Sequence, residues 1–236
     1  MRVLALDTAT EIGAIALVEE DTLLAQTQLR VEKTHSQNLW RTIRFLLAET
    51  GWGLEQIDLW AVSTGPGSFT GVRIGLATVK GLAWVTQKPV IGVSTLEVLA
   101  YSVTPTPYLI CPILDARRQE VYFAFYRYTP EGSVLMVRGP GHLRPLALVQ
   151  EIQEPAVFVG NGVRRYQEIF RDHLGPRALV PEVWSHPLSG LTLAAIAQKR
   201  FRQGEGRSAR EVSPLYLRPV EAEWKPKESP GKKPCA

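Results

Sequence analysis

Ser63-Thr64-Gly65-Pro66-Gly67-Ser68-Phe69-Thr70-Gly71-Val72-Arg73-Ile74-Gly75 decides the fold. Before it, Leu59-Trp60-Ala61-Val62 is a short apolar run that reads as the body of a strand. After Thr70 the chain runs to about Trp84 without proline, with Val72, Leu76, Val79, Leu82 and Ala83 at helical spacing. The stretch is therefore a strand, a Gly-Pro-Gly turn and a helix capped by Ser68 or Thr70. Gly71, Gly75 and Gly81 then fall inside the helix, each at a cost of roughly 1 kcal/mol relative to alanine. A ligand, another backbone or a second protein in close approach is the usual compensation. The turn lacks the Gly-Lys-Ser/Thr ending of a P-loop, which weakens a phosphate-cradle reading.

Working outward, Arg2 to Thr8 reads as a buried strand ending in Asp7-Thr8, and Gly13 to Val18 and Thr22 to Leu29 complete a meander. Thr34 and Gln37 make a capping box for a helix that carries Leu39, Ile43, Leu46 and Leu47 and stops near Gly51. Ile57 to Ser63, the glycine helix, a strand at Val90–Val93 and a short helix to Tyr101 follow. Thr104-Pro105-Thr106-Pro107 interrupts the pattern, and it begins again. Tyr108 to Leu114 is a strand ending in Asp115, with further strands at Glu120–Tyr128 and Ser133–Arg138. Helix, strand and helix come next, at 145–153, Ala156–Val159 and Val163–Phe170, and a last helix at 188–203. The expected organisation is α/β, with two lobes at 1–104 and 105–220 built on duplicated βββαβα units and a disordered basic tail at 221–236. The duplication rests on pattern alone.

Composition is that of an ordinary globular protein, 45% hydrophobic and 21% charged. No apolar run approaches the roughly 18 residues of a membrane helix, and an acid inside the first apolar run argues against a signal core. A cytoplasmic location is expected. Cys111 and Cys235 lie far apart, which disfavours a disulfide or a zinc site. The net charge is +4, and residues 218–236 contribute to it with five basic against three acidic side chains. The body is nearly neutral, so no extended nucleic-acid footprint is indicated by charge.

Duplicated meanders whose first strand ends in aspartate occur in the actin, hexokinase and Hsp70 type of ATPase, where the turns after the first strands hold phosphate and the aspartates place magnesium. Asp7, Thr8 and Thr10 can form the first such turn, or can equally hydrogen-bond the turn's own backbone. The second turn, Asp115 to Glu120, has no glycine to expose backbone N–H groups. Arg117 and Arg118 can bind phosphate through their side chains or stand as solvated turn residues. Gly160-Asn161-Gly162 is a weak adenosine-site signal that can equally be a strand-to-helix turn. None of His35, His142, His173 and His186 pairs with another at i+3 or i+4, so a helical two-histidine metal grip is absent. No complete catalytic constellation is expected.

Leu6-Asp7-Thr8-Ala9-Thr10, the run Gly65 to Gly75, Asp115-Ala116-Arg117-Arg118-Gln119-Glu120-Val121-Tyr122 and Pro214-Leu215-Tyr216-Leu217-Arg218 together resemble the bacterial TsaB (YeaZ-type) family, over residues 1 to about 218. The resemblance implies a two-lobed actin/Hsp70-like (ASKHA) fold without catalytic activity of its own. It implies partnership with a catalytic TsaD-type paralogue and a TsaE-type small ATPase. The assembly transfers threonylcarbamoyl to N6 of the adenosine beside the anticodon in tRNAs that read codons beginning with A. ATP or ADP and a metal ion are then expected only in the assembled complex, tRNA through the complex, and a homodimer is a further possibility. The paralogue's His-x-x-x-His metal motif fails here, because Leu39 follows His35 at i+4.

The resemblance also implies that first-lobe helices carry the partner contact, with His35, Leu39, Trp40, Ile43, Gly67, Phe69, Thr70, Gly71, Arg73, Ile74, Gly75 and Thr78 as candidates. In that reading Gly71, Gly75 and Thr78 form a flat strip for close helix packing against a partner, and Gly75→Gln leaves the monomer folded while abolishing the heterodimer; the alternative is that the strip packs inside its own domain. The alternatives are an ATP-dependent small-molecule kinase or a glycoprotease-like peptidase of the same superfamily, and a direct tRNA-binding module. Submicromolar Mg-ATP binding with turnover by the isolated chain would favour the kinase.

Overall fold

The computed structural model describes residues 1–30, 35–181 and 188–218, with the side chains of 35–38 outside that set. Thr34 and the 221–236 tail, both subjects of expectations above, lie outside the described residues. Ten strands and six α-helices are described: β1 Arg2–Asp7, β2 Ile12–Glu19, β3 Thr22–Arg30, α1 His35–Thr50, β4 Leu59–Ser63, α2 Phe69–Thr86, β5 Val90–Val93, α3 Thr95–Tyr101, β6 Leu109–Asp115, β7 Val121–Tyr128, β8 Val134–Leu143, α4 Pro145–Gln150, β9 Ala156–Val159, α5 Asn161–Leu174, β10 Ala178–Leu179 and α6 Gly190–Arg202. None of these helices is long and apolar enough to cross a membrane.

The strands form two sheets of the same topology, ordered β3-β2-β1-β4-β5 and β10-β9-β6-β7-β8. In each, a three-stranded antiparallel meander continues into parallel strands. β1 and β6 occupy equivalent central positions, and β10 is the two-residue counterpart of β5. The duplication expected from the sequence is thus present at the level of sheet order.

Strand alternation gives each sheet two apolar faces. Leu4, Leu6, Trp60 and Val62 point outward and are covered by α1 and α2 through Ile43, Leu46, Val72, Leu76 and Val79. On the second sheet Cys111, Ile113, Phe123 and Phe158 are covered by α4 and α5, with Phe158 and Phe170 stacked at 4.5 Å. The inner faces of both sheets share one core. Val3, Ala5, Ala61 and Val93 meet Ile110, Leu114 and Ala124 through α3 and α6. The order is helix, sheet, helix, sheet, helix, and each buried aliphatic side chain contributes about 1.5–3 kcal/mol of apolar burial.

The two central helices are exchanged relative to the chain order. α3 follows the first sheet but packs on β6, β7 and β8, whereas α6 follows the second sheet and packs on β1, β2, β4 and β5. Gly190 opens α6 against the Ala16 backbone, where a side chain would crowd Ala16 N at 2.9 Å. Arg200 of α6 holds Glu97 of α3 through its Nη2 atom at 2.8 and 2.6 Å and donates to the Gly92 carbonyl. The interruption at 104–107 separates the sheets, then, but not the packing units. Residues 190–218 return to the first sheet, where Arg207 pairs with the β5 edge at Val90.

The segment Ser213–Arg218 straps the lobes together. Leu215 N–H donates to the Thr64 carbonyl, and Tyr216 packs on Phe69. Arg218 reaches the Ala116 carbonyl and the Glu120 carboxylate on the other lobe.

Candidate functional site

Two features carry the chemistry: a cleft between the lobes and the outer face of α1 and α2. The cleft encloses about 350 Å³ between the β1–β2 turn, the start of α2 and the β6–β7 turn. Of the sequence candidates it brings together Thr10, Gly67, Phe69, Thr70 and Arg117; Asp7, Thr8 and Arg118 do not line it.

The first turn is mostly spent on its own backbone. Thr10 Oγ1 donates to the Ile12 carbonyl and accepts from Ile12 N–H. Asp7 Oδ1 accepts from Ala9 N–H at 2.8 Å, and Thr8 Oγ1 donates to the Gly71 carbonyl at 2.7 Å. Asp7 and the Ser63 hydroxyl beside it are both buried. Burial raises the Asp7 carboxyl to about 6, against the lowering by the Ala9 N–H and by Ser63. A carboxylate at 0% exposure does not fit the open, oxygen-rich seat a magnesium ion needs. Among the described residues no three His, Cys, Asp or Glu side chains gather as a metal site.

At the second turn Arg117, Arg118 and Gln119 all adopt left-handed backbone, with φ of 59°, 50° and 62°. Each such residue costs about 1–2 kcal/mol. The turn is held by Asp115 Oδ1 accepting from Arg117 N–H, by the Ala116–Glu120 backbone pair and by Arg218. Arg165 neutralises Asp115 at 2.8 Å.

The glycine helix corrects the strip reading. Ser68 caps α2, accepting from Gly71 N–H. Gly67, Gly71 and Gly75 face inward: side chains there would overlap the Ala9 carbonyl, the Thr8 carbonyl and Thr8 Oγ1 respectively. They are glycine because the β1–β2 turn lies on the helix. Leu39 and Ile43 are likewise in the core and unavailable to a partner. Thr78 and Ile74 are half-buried, and the His35 side chain lies outside the described residues.

The face that does look outward was only partly anticipated. Trp40, Phe69, Thr70 and Arg73 are exposed on it, together with Phe45, Trp84 and Val85, the last at 60%, 51% and 78% exposure. Gly81 opens onto this side with nothing within 4 Å of a potential side chain. Periodicity carried the signal, since Gly71, Gly75 and Val79 form one i, i+4, i+8 row on the buried side and Gly81 does not belong to it. Arg73 is held over the Phe69 ring at 3.6 Å and donates Nε–H to the Tyr216 hydroxyl at 2.7 Å.

The model of the family described as "TsaD: tRNA N6-adenosine threonylcarbamoyltransferase" matches residues 27–225. The curated Bacillus subtilis "tRNA threonylcarbamoyladenosine biosynthesis protein TsaB" is 32% identical over 95% of this chain and 97% of its own. The chain belongs to the TsaB family. The Escherichia coli TsaB protein is 31% identical over 98% and 100% of the two chains. Among solved structures, YeaZ from Pseudomonas aeruginosa is similar with a TM-score of 0.76 and 30% identity, covering 92% of this chain and 99% of that one. A ROK hexokinase from Thermus thermophilus, at 13% identity and a TM-score of 0.51, shares the fold alone. The two-lobed actin-like architecture of this TsaB-family chain is therefore as expected.

Proposed function

We propose that this chain is a non-catalytic subunit of the cytoplasmic assembly that forms N6-threonylcarbamoyladenosine beside the anticodon of tRNAs reading codons beginning with A. It docks on a TsaD-type catalytic paralogue and acts as scaffold and activator. A TsaE-type small ATPase and the tRNA join through that complex. In this reading ATP or ADP and the metal ion belong to the assembly rather than to this chain. TsaB-named relatives along the whole chain support the pathway. The observation that carries the docking role is the outer face of α1 and α2, where Trp40, Phe45, Trp84 and Val85 stand exposed. Exposed aromatic side chains around an open glycine are what a partner's core would cover.

The test is co-expression with the paralogue, affinity capture and tRNA modification assayed with and without this chain. Trp84→Glu is expected to weaken capture about tenfold or more, as for a central aromatic anchor, with an unchanged melting temperature because the indole is half exposed. Equal tRNA modification by the paralogue alone would overturn the reading, as would undiminished capture by the variant.

A further inference from the structure

The near neutrality of the body conceals a local excess of positive charge. Where the second sheet ends beside the cleft, the β6–β7 turn carries Arg117 and Arg118, Arg144 follows β8, and α5 opens with Arg164 and Arg165 in its first turns. All five are exposed. Polar contacts tie the three segments into one tip. Asp115 N–H donates to Asn161 Oδ1 at the start of α5, and Arg165 reaches Asp115 at 2.8 Å. His142, two residues before Arg144, lies 3.2 Å from Glu120 at the end of the turn.

The carboxylates of the turn itself are both taken, Asp115 by Arg165 and Glu120 by Arg218 and His142. Glu11, across the cleft on the first lobe, pairs with Arg30. Arg117, Arg144 and Arg164 make no ion pair among the described residues, not even with Glu168 one turn along α5. The chain keeps these charges at a cost. Cations near a helix N-terminus oppose its dipole, and the first turn of α5 has no acid to offset them. Arg117 and Arg118 hold left-handed backbone that glycine adopts freely. Strain of this kind collects where ligands are held.

Resting on the role in tRNA modification proposed above, we infer that this tip of the second lobe contacts the sugar-phosphate backbone of the tRNA, with Arg117, Arg144 and Arg164 on its phosphates. Guanidinium forks match phosphate oxygens in geometry and charge. A protein partner fits less well, because protein interfaces are centred on apolar and aromatic anchors. Leu146 is the one large apolar side chain exposed beside these arginines among the described residues. A polar, cationic surface is what nucleic acid meets. Phosphate contacts position an RNA without reading its sequence. The tip therefore fixes where the tRNA lies and leaves the choice of base to the paralogue, which α1 and α2 hold on the other lobe.

The experiment titrates an unmodified transcript of a tRNA that reads a codon beginning with A into the co-purified complex of the full chain and its TsaD-type paralogue. Three phosphate contacts make the tip's share of the affinity fall about 20–40-fold between about 0.05 and 0.2 M NaCl. Arg144→Glu/Arg164→Glu is expected to weaken tRNA binding about tenfold or more at low salt. It should also make the slope of log Kd against log salt shallower by about 2, one for each lost phosphate. Capture of the paralogue and the melting temperature should stay unchanged. Arg117→Gly is expected to weaken binding about threefold or more without lowering the melting temperature, since glycine keeps the left-handed turn. A merely structural arginine would not separate the two readouts. Undiminished tRNA binding by both variants in an intact heterodimer would overturn the inference and leave the docking role standing. Loss of the paralogue by either variant would make the tip a protein interface and overturn it too. Absence of any wild-type heterodimer would overturn both readings.

Discussion

Gly71→Ala is expected to lower the melting temperature by roughly 5–15 °C, corresponding to about 2–4 kcal/mol of overpacking at about 2–4 °C per kcal/mol in a chain of this size. The added methyl group would overlap the Thr8 carbonyl oxygen and lie 3.3 Å from Ser68 Cβ. Neither neighbour can give way cheaply. Thr8 is a buried turn residue bonded through Oγ1 to the Gly71 carbonyl, and Ser68 N–H is committed to Ala9. Gly81→Ala is the matched control. It sits on the same helix with nothing nearby, so the propensity gain of up to about 1 kcal/mol is unopposed. Thermal or urea unfolding of the two variants should therefore move in opposite directions. Equal shifts would show that the β1–β2 turn does not lie on α2 as described. Gly75→Gln, read from the sequence as a clean interface lesion, is now expected to destabilise the monomer itself through Thr8.

The second large effect is electrostatic. Asp7→Asn is expected to stabilise the protein at pH 8 by about 2–3 kcal/mol, the free-energy equivalent of raising a carboxyl from 3.8 to about 6 on folding. Asparagine keeps the oxygen that accepts from Ala9 N–H and removes the buried charge. Because the native state holds the proton more tightly than the unfolded chain, stability falls as pH rises through the window from 3.8 to about 6. Below 3.8 both states are protonated and the penalty vanishes; above about 6 it is felt in full. The advantage of Asp7→Asn over wild type should thus shrink as pH drops from 7 toward 4. Denaturant melts at several pH values measure this directly, and a difference that stays flat with pH would refute the assignment.

Most local structure was legible because each element is consistent with its own pattern. β5 and β9 were readable to the residue, and the β1 run, apolar on both faces, already implied that Asp7 is buried. The reading of the glycines failed for a physical reason. Sequence shows that a helix lacks a side chain at a position, not what fills the space, and the Thr8 turn that fills it is some 60 residues away. The row Gly71, Gly75, Val79 nevertheless placed two of the three glycines on the buried side, so the signal existed. The approach of Ser63 to Asp7 and the Trp84–Val85 exposure had none, since a serine closing a strand and a tryptophan closing a helix are ordinary. The strap was visible as a motif, Pro214 to Arg218, but its role depends on Thr64 and Glu120, which no local pattern connects.

The exchange of α3 and α6 was invisible for the same reason of distance, and it constrains how the protein can be made. The inner face of the first sheet, including Val3, Ala5 and Ala16, is covered by α6. Synthesis at about 5–20 residues per second leaves that face bare for roughly ten seconds or more, until residues 190–202 have left the ribosome. The N-terminal half thus emerges as an unfinished half-sandwich, and its folding must wait for nearly the last helix of the chain. A nascent chain arrested before Gly190 should be a substrate for chaperones, and one carried clear of the tunnel beyond Arg218 by a C-terminal linker should not.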